Sequence, residues 1–128
     1  MLHLSDTEWK LMNRLWEQEA TIMELTKEIG EEQDWTKSTI ITMLNRLEKK
    51  GAVAYREEGR AKRYYPLIDR ELAAVRETED FLDKVYQGSV AMLVNAMVGN
   101  KKLKGNDVRE LRALLSQWEQ VEAEEEDQ

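Results

Sequence analysis

The chain has 128 residues, a length that suits one domain, or a small domain with an appendage, and allows a substantial core. It contains no cysteine, which excludes a disulfide framework and a thiolate metal site. The net charge of −7 is uneven, because residues 1–35, 36–65 and 66–128 carry −6, +5 and −6. A basic segment in an acidic chain is typical of a nucleic-acid-binding surface, although solvated lysines and arginines on a helix face give the same pattern.

The longest nearly apolar segment, VAMLVNAMV, is much shorter than the roughly 20 residues that a membrane-spanning helix needs. The N-terminal segment MLHLSDTEWK lacks the basic start and apolar stretch of a secretory leader. We therefore expect a cytoplasmic protein without a membrane partner.

Two short helices are predicted first. In LSDTEWKLMNRLW, Ser5 and Glu8 have the spacing of a capping box, which predicts a helix that begins after Ser5. In TIMELTKEIG, Thr21 and Glu24 repeat this pattern, and Gly30 predicts the end of the helix. The acidic segment EEQDW that follows is interpreted as a solvated linker rather than a metal site.

A third helix is predicted over residues 36–50, with Thr36 or Ser38 as its cap. Helical spacing places four apolar residues on its buried side, namely Ile40, Met43, Leu44 and Leu47. On the opposite side, small polar groups can approach base edges in a DNA major groove, while basic groups can contact phosphate. The predicted DNA-binding residues of this helix are Lys37, Ser38, Ile41, Thr42, Asn45, Arg46, Lys49 and Lys50.

A β-hairpin is predicted next, over residues 53–65. Two extended runs flank EEGR, in which Gly59 can adopt the positive φ that a tight turn needs. Arg60 lies at the tip, and Lys62 and Arg63 follow it, so this hairpin is also predicted to bind DNA. Three helices and a basic hairpin predict a winged helix-turn-helix, a mainly α (α+β) fold. The third helix is expected in the major groove and the wing on the flanking backbone or minor groove.

The rest of the chain, residues 69–128, is predicted to be a helical dimerisation region that follows a DNA-binding domain of residues 1–68. Its helices carry more apolar side chains than small peripheral helices without a partner. A bundle within one chain is the alternative, but no further domain is available to cover these helices. The predicted interface residues are Leu82, Val90, Leu93, Val94, Met97, Val108, Leu111, Leu115 and Trp118. The acidic tail, residues 120–128, is predicted to be disordered.

Three segments, SDTEWKLMNRLW, WTKSTIITMLNRLEKKGAV and EEGRAKRYYPL, resemble the BlaI/MecI/CopY family of penicillinase and methicillin-resistance repressors. The resemblance continues in GSVAMLV and LKGNDVRELRALL. It implies a homodimeric transcriptional repressor that binds double-stranded DNA at an inverted-repeat operator. It adds Thr39 to the DNA-binding residues and matches Gly59 and Arg60 to the family's wing tip. Lys37 and Ser38 differ from the Pro and Lys of penicillinase-type repressors, so the operator preference is open.

The resemblance also implies an inducing protease as a partner, because penicillinase-type repressors are cleaved at an Asn-Phe bond in the dimerisation region. Ala96 and Met97 occupy that position here, so the family's cut site is absent. A copper signal of the CopY type is disfavoured, because the cysteine pairs of that branch are absent.

Other functions fit the sequence less well. An enzyme is not expected, because the chain has one histidine, His3, and no Gly-rich phosphate loop, cofactor motif or metal-ligand spacing. A winged helix that binds protein instead of DNA is one alternative, since a fold alone does not dictate function. A ligand-sensing regulator of the MarR type is another, but no sequence feature identifies the pocket that it would need.

Overall fold

The structure is a computed structural model, and it describes residues 2–127. Its first elements are helix α1 (Asp6–Glu17), strand β1 (Ala20–Thr21), helix α2 (Ile22–Leu25), a π-helical turn (Thr26–Gly30), helix α3 (Glu31–Gln33) and helix α4 (Lys37–Lys49). They are followed by strands β2 (Val53–Glu58) and β3 (Ala61–Pro66) and by helices α5 (Arg70–Tyr86), α6 (Val90–Gly99) and α7 (Gly105–Glu126). The chain divides into two compact units between Thr78 and Glu79, inside α5.

The first two helices begin as their capping patterns predict. The Ser5 hydroxyl accepts a hydrogen bond from the Glu8 N–H at 3.3 Å, and the Glu8 carboxylate accepts one from the Ser5 N–H at 2.8 Å. Thr21 and Glu24 form the same reciprocal pair at the start of α2. Each capping box satisfies N–H groups that the first turn of a helix leaves unpaired.

The second predicted helix does not end at Gly30 but continues through the π-helical turn to Gln33. Gly30 has helical backbone angles, and Asp34, with a φ of 59°, adopts the left-handed conformation that ends the helix. Gly30 is needed for packing instead, because a Cβ atom there would lie 3.0 Å from the Trp35 carbonyl oxygen. The segment EEQDW, predicted to be a linker, is therefore partly helical.

The core of the N-terminal unit combines side chains from α1, α2, α4 and the sheet. All four apolar residues predicted for the buried side of the third helix belong to it. Each fully buried leucine in such a core contributes on the order of 1.5–3 kcal/mol. The buried apolar residues are Leu4, Leu11, Met12, Leu15, Ala20, Leu25, Ile29, Ile40, Met43, Leu44, Leu47, Ala52, Val53 and Tyr64.

The three strands form an antiparallel sheet in the order β1-β3-β2. Glu58 pairs with Ala61 across the hairpin, so Gly59 and Arg60 form a two-residue turn. Gly59 has a φ of 63°, the positive value predicted for this position. β1 pairs with β3 and joins the hairpin to the segment just before α2. Three helical segments followed by this hairpin confirm the predicted winged helix-turn-helix fold.

The helices α5, α6 and α7 contain no buried residue within the described range. α7 continues to Glu126, so residues 120–126 are helical where disorder was predicted, and Gln128, the last residue of that prediction, lies outside the described residues. The reason is composition, because the segment QVEAEEE is rich in good helix formers and contains neither glycine nor proline. None of the helices between residues 2 and 127 is both long and apolar enough to cross a membrane.

Candidate nucleic-acid interface

The outward face of α4 presents small polar side chains to solvent. Thr36 caps the helix by accepting a hydrogen bond from the Thr39 N–H at 3.1 Å. The Thr42 hydroxyl donates to the Ser38 carbonyl oxygen at 2.9 Å, which holds this side chain against its own helix. Ile41 is half-buried, and the exposed predicted residues are Lys37, Ser38, Thr39, Thr42, Asn45, Arg46 and Lys49.

Three basic side chains of α4 are available for phosphate. Lys37, Arg46 and Lys49 are exposed, and within residues 2–127 none of them forms a salt bridge. Their charges therefore lie beside the small polar groups without internal compensation. This combination suits an element that enters a DNA groove, since phosphate contacts position a helix and base contacts specify the sequence.

Lys50, the remaining predicted basic contact of this helix, binds the protein itself. Its ammonium lies 2.6 Å from the Glu8 carboxylate and donates a hydrogen bond to the His3 carbonyl oxygen at 2.9 Å. Glu8 is only 3% exposed. Burial raises the pKa of Glu8, but hydrogen bonds from Lys50 and Ser5 outweigh it and hold the pKa below its ordinary value. Lys50 thus joins the end of α4 to the start of α1, a structural role in place of the predicted phosphate contact.

Arg63, also predicted to contact DNA, is likewise held inside the domain. It pairs with Glu58 of β2, and its guanidinium lies 3.2 Å from the Glu24 carboxylate at the start of α2. The hydrogen bond with Glu58 is the main reason that the pKa of Arg63 lies above its ordinary value. Arg56, which the prediction did not include, pairs in the same way with Glu19. The pairs with Glu24 and Glu19 fasten the wing to the helical part of the domain, and the pair with Glu58 joins its two strands.

The tip of the wing keeps two accessible positive charges. Arg60 is exposed in the turn, and no salt bridge or hydrogen bond from its side chain is found in the described part of the chain. The Lys62 ammonium lies 4.4 Å from the centre of the Tyr55 ring, a cation–π contact worth about 0.5–1 kcal/mol at an exposed site. The ring covers only one side of the ammonium, so the other side can still contact a phosphate.

A depression of about 270 Å³ runs along one flank of α4. Four of its residues are predicted DNA-binding residues, whereas Thr7 and Trp35 come from other segments and carry no sequence signal for this surface. We call it the α1–α4 depression, and it is lined by Thr7, Trp35, Ser38, Thr39, Thr42, Met43 and Arg46.

The predicted dimer-interface residues lie on α5, α6 and α7 and are not buried within one chain. The partly exposed ones are Leu82, Leu93, Val94 and Leu111. The more exposed ones are Val90, Met97, Val108, Leu115 and Trp118. Their role in dimerisation stays a prediction.

Comparison with known proteins extends over most of the chain. The sequence model of the penicillinase repressor family matches residues 4–117. The methicillin resistance regulatory protein MecI of Mammaliicoccus sciuri is 31% identical over 114 residues, which cover 88% of this chain and 93% of that protein. The penicillinase repressor of Bacillus licheniformis is 33% identical over 115 residues, which cover 89% and 90% of the two chains. The solution structure of the DNA-binding domain of the repressor BlaI matches with a TM-score of 0.50 at 39% identity, covering 53% of this chain and 84% of that one.

The winged fold and these similarities define a DNA-binding transcriptional repressor of the winged helix-turn-helix class. The chain belongs to the penicillinase repressor family, so the resemblance found in the sequence is confirmed. The expectation that the chain is not an enzyme is confirmed by the same membership, because these relatives are transcriptional repressors.

Proposed function

We propose that this chain is a homodimeric repressor that binds an inverted-repeat operator in double-stranded DNA. Each protomer inserts α4 into a major groove and places its wing on the flanking backbone. The observation that carries this proposal is the composition of the exposed face of α4, where small polar groups lie beside cations that form no salt bridge within residues 2–127.

The two kinds of side chain have different tasks in this proposal. The small polar groups and the half-buried Ile41 read the base pairs, and Asn45 is suited to paired hydrogen bonds with an adenine. The basic groups neutralise phosphates and set the register on the duplex. The proposed base-reading residues are Ser38, Thr39, Ile41, Thr42 and Asn45, and the proposed phosphate contacts are Lys37, Arg46, Lys49, Arg60 and Lys62.

The proposed partner of the C-terminal region is a second copy of the chain. Val90, Leu115 and Trp118 each leave 61% of their surface exposed. Apolar surface of this kind is rarely left in contact with water when it is contiguous. A two-fold symmetric dimer would cover it and would also present two equivalent α4 helices to a symmetric operator.

The same region is the proposed point of control. The family resemblance implies a protease, and the position that corresponds to its cut site, Ala96 and Met97, lies within α6. Asn95 is a poor helix former, and Gly99 ends the helix close by, so local opening of this segment has a low cost. Cleavage there would separate α7 from the rest of the chain.

Footprinting on duplex fragments selected from the parent genome tests the function. We expect protection of two symmetric half-sites, with centres about 34–36 Å apart or a multiple of this spacing. Protection of a single half-site, at protein concentrations where the dimer is intact, would contradict the proposal.

Two variants test the division of tasks. If Lys37, Arg46, Lys49, Arg60 and Lys62 each neutralise one phosphate, a dimer makes about ten contacts, and log K should fall with log salt with a slope of about −9. Arg60→Ala should flatten this slope by roughly 2 and weaken all sites equally, while Arg76→Ala, the same change in α5, should leave it unchanged. Thr42→Ala should alter which operator variants are preferred. Equal losses for Arg60→Ala and Thr42→Ala across a panel of operators would count against the division.

A further inference from the structure

The α1–α4 depression extends from the edge of the proposed base-reading face, across one flank of α4, to Thr7 of α1. We propose that it seats the sugar–phosphate backbone of one DNA strand and that Thr7 donates a hydrogen bond to a phosphate there. This inference rests on the proposed DNA binding and adds a contact from α1 that the sequence does not suggest.

The position of the depression follows from the geometry of α4. Ser38, Thr42 and Arg46 recur at intervals of four residues and therefore form one stripe along the helix. Ser38 and Thr42 belong to the outward face, whereas Thr39 and Arg46 lie between that face and the buried side, which is represented by Met43. Thr7, in the first turn of α1, contributes the facing wall.

The dimensions of DNA make this flank a place for backbone. A helix with its side chains is about 10–12 Å in diameter, and the major groove is about 12 Å wide. A helix that fills the groove therefore turns its outward face to the bases and its two flanks to the phosphate backbones. A depression along one flank provides room for the backbone on that side.

The lining residues suit a phosphodiester. The Thr7 hydroxyl and the Arg46 guanidinium can donate to phosphate oxygens, while Trp35 offers apolar surface to the deoxyribose. Within residues 2–127 no carboxylate lines the depression, although the chain contains 26 acidic residues. Asp6 adjoins Thr7 in the sequence but is not among the lining residues.

Thr7 has a hydroxyl proton available for this contact. The Thr42 hydroxyl donates to its own helix, and the Thr39 hydroxyl is paired with Thr36 at 3.0 Å. The Thr7 hydroxyl lies 3.3 Å from the Ser5 hydroxyl. Because the Ser5 oxygen already accepts the Glu8 N–H, Ser5 can donate its proton to Thr7, which leaves the Thr7 proton for an acceptor in the depression.

The wall that carries Thr7 is held in place. Glu8, the next residue, is bound to Lys50 at the end of α4 by the buried ion pair. This connection fixes the start of α1 relative to α4, so the depression exists before DNA arrives. A site that needs no rearrangement loses less conformational entropy on binding.

The test uses the full-length protein and an operator duplex defined by footprinting. Thr7→Val keeps the shape of the side chain but removes the hydroxyl, and it should weaken binding about 10-fold for the dimer, because each protomer loses one phosphate hydrogen bond. The loss should be equal for operators that differ in base sequence. Thr7→Ser should restore binding, and Thr78→Val, the same change on α5, should have no effect.

Replacing single phosphates with neutral methylphosphonates then locates the contact. At one position in each half-site, the methylphosphonate should weaken binding of the wild type. The same replacement should not weaken binding of Thr7→Val any further, because that variant has already lost the contact. Three outcomes would overturn this inference alone. Thr7→Val could bind the operator as tightly as the wild type, its loss of affinity could depend on the base sequence, or no phosphate position could show the expected coupling with Thr7. A wild-type protein that binds no duplex fragment would overturn it together with the proposed function.

Discussion

The two compact units of this chain differ in how far they bury their apolar side chains. In the N-terminal unit, Leu11 and Leu44 are fully buried, whereas Leu114 and Leu115 in the C-terminal unit are 62% and 61% exposed. Isolated helices as short as α6, with 10 residues, are marginal in water without packing. The N-terminal unit thus buries its apolar side chains within one chain, whereas the C-terminal helices leave theirs exposed, as the proposed dimer requires.

A matched pair of leucine substitutions should give the largest contrast. Leu44→Ala opens a cavity in a closed core and should lower the free energy of unfolding by about 2–5 kcal/mol at any protein concentration. Leu115→Ala removes the same atoms from an exposed helix face and should leave the N-terminal unit unchanged. Its effect should appear as a weaker dimer and a melting temperature that depends more steeply on concentration.

Urea unfolding and sedimentation of both variants measure these effects. If Leu115→Ala greatly lowered the free energy of unfolding, and this decrease did not vary with protein concentration, α7 would pack within one chain, as in the bundle alternative.

Truncation after Val94 separates the two units in function. The shortened chain keeps the whole core and should melt as a folded domain, but it should be monomeric. A monomer binds one half-site at a time, so its operator affinity should be about 10²-fold lower. The reason is that binding of the first half-site no longer raises the effective concentration of a linked protomer at the second. Operator titration and molecular mass in solution give both values. If the truncated chain stays dimeric and binds as tightly, control by a small-molecule pocket becomes the better hypothesis.

Glu8→Gln tests a buried charge of the N-terminal unit. It removes the ionic partner of Lys50, which is itself partly exposed, so we expect a loss of about 1–2 kcal/mol near neutral pH. Glu17→Gln, an exposed change near the other end of α1, should stay within about 0.5 kcal/mol of the wild type.

The pH dependence of this loss has a defined sign. The pKa of Glu8 is lowered from its ordinary value of 4.5, so the ionised form stabilises the fold above about pH 4.5. This stabilisation is lost as the pH falls through the lower pKa of the folded state. The difference between wild type and Glu8→Gln should therefore shrink in acid, as measured by urea unfolding at several pH values. A difference that is constant down to about pH 3 would rule out the ion pair as its cause.

The smallest effect is expected at Asp34, which ends the second helical stretch with a φ of 59°. Glycine adopts this conformation without steric cost. Asp34→Gly should therefore increase the free energy of unfolding by up to about 1 kcal/mol and raise the melting temperature accordingly. Glu32→Gly, two residues earlier in helical backbone, should lower stability by about 1 kcal/mol. If both variants lowered the free energy of unfolding, the Asp34 side chain would stabilise the fold in a way that does not depend on the backbone angle of this residue.

Much of the N-terminal fold was predictable because its signals are local. The capping boxes at Ser5 and Thr21, the buried side of α4 and the turn at Gly59 each depend on residues close in sequence. The confirmed fold class and family follow from these segments.

The parts that the sequence did not reveal depend on distant pairs. Lys50 and Glu8 are 42 positions apart, and no local pattern joins them. Arg63 looks like Arg60 in the sequence, yet of the two only Arg63 pairs with Glu24 of α2 and Glu58 of β2. Gly30 was assigned to a helix end because glycine often has that role, whereas here its small size admits the Trp35 carbonyl. Side-chain partners across the fold therefore decide which basic residues are free.

The internal ion pairs of the wing and of α4 bear on how this repressor would search a genome. Residues 36–65 contain eight basic side chains, but Lys50, Arg56 and Arg63 are neutralised within the domain. Attraction to random DNA grows with each additional phosphate that a protein neutralises. By pairing three cations with carboxylates, the fold leaves fewer positive charges free to neutralise the phosphates of random DNA. The protein would then dissociate and move on quickly until the base contacts of α4 find their match.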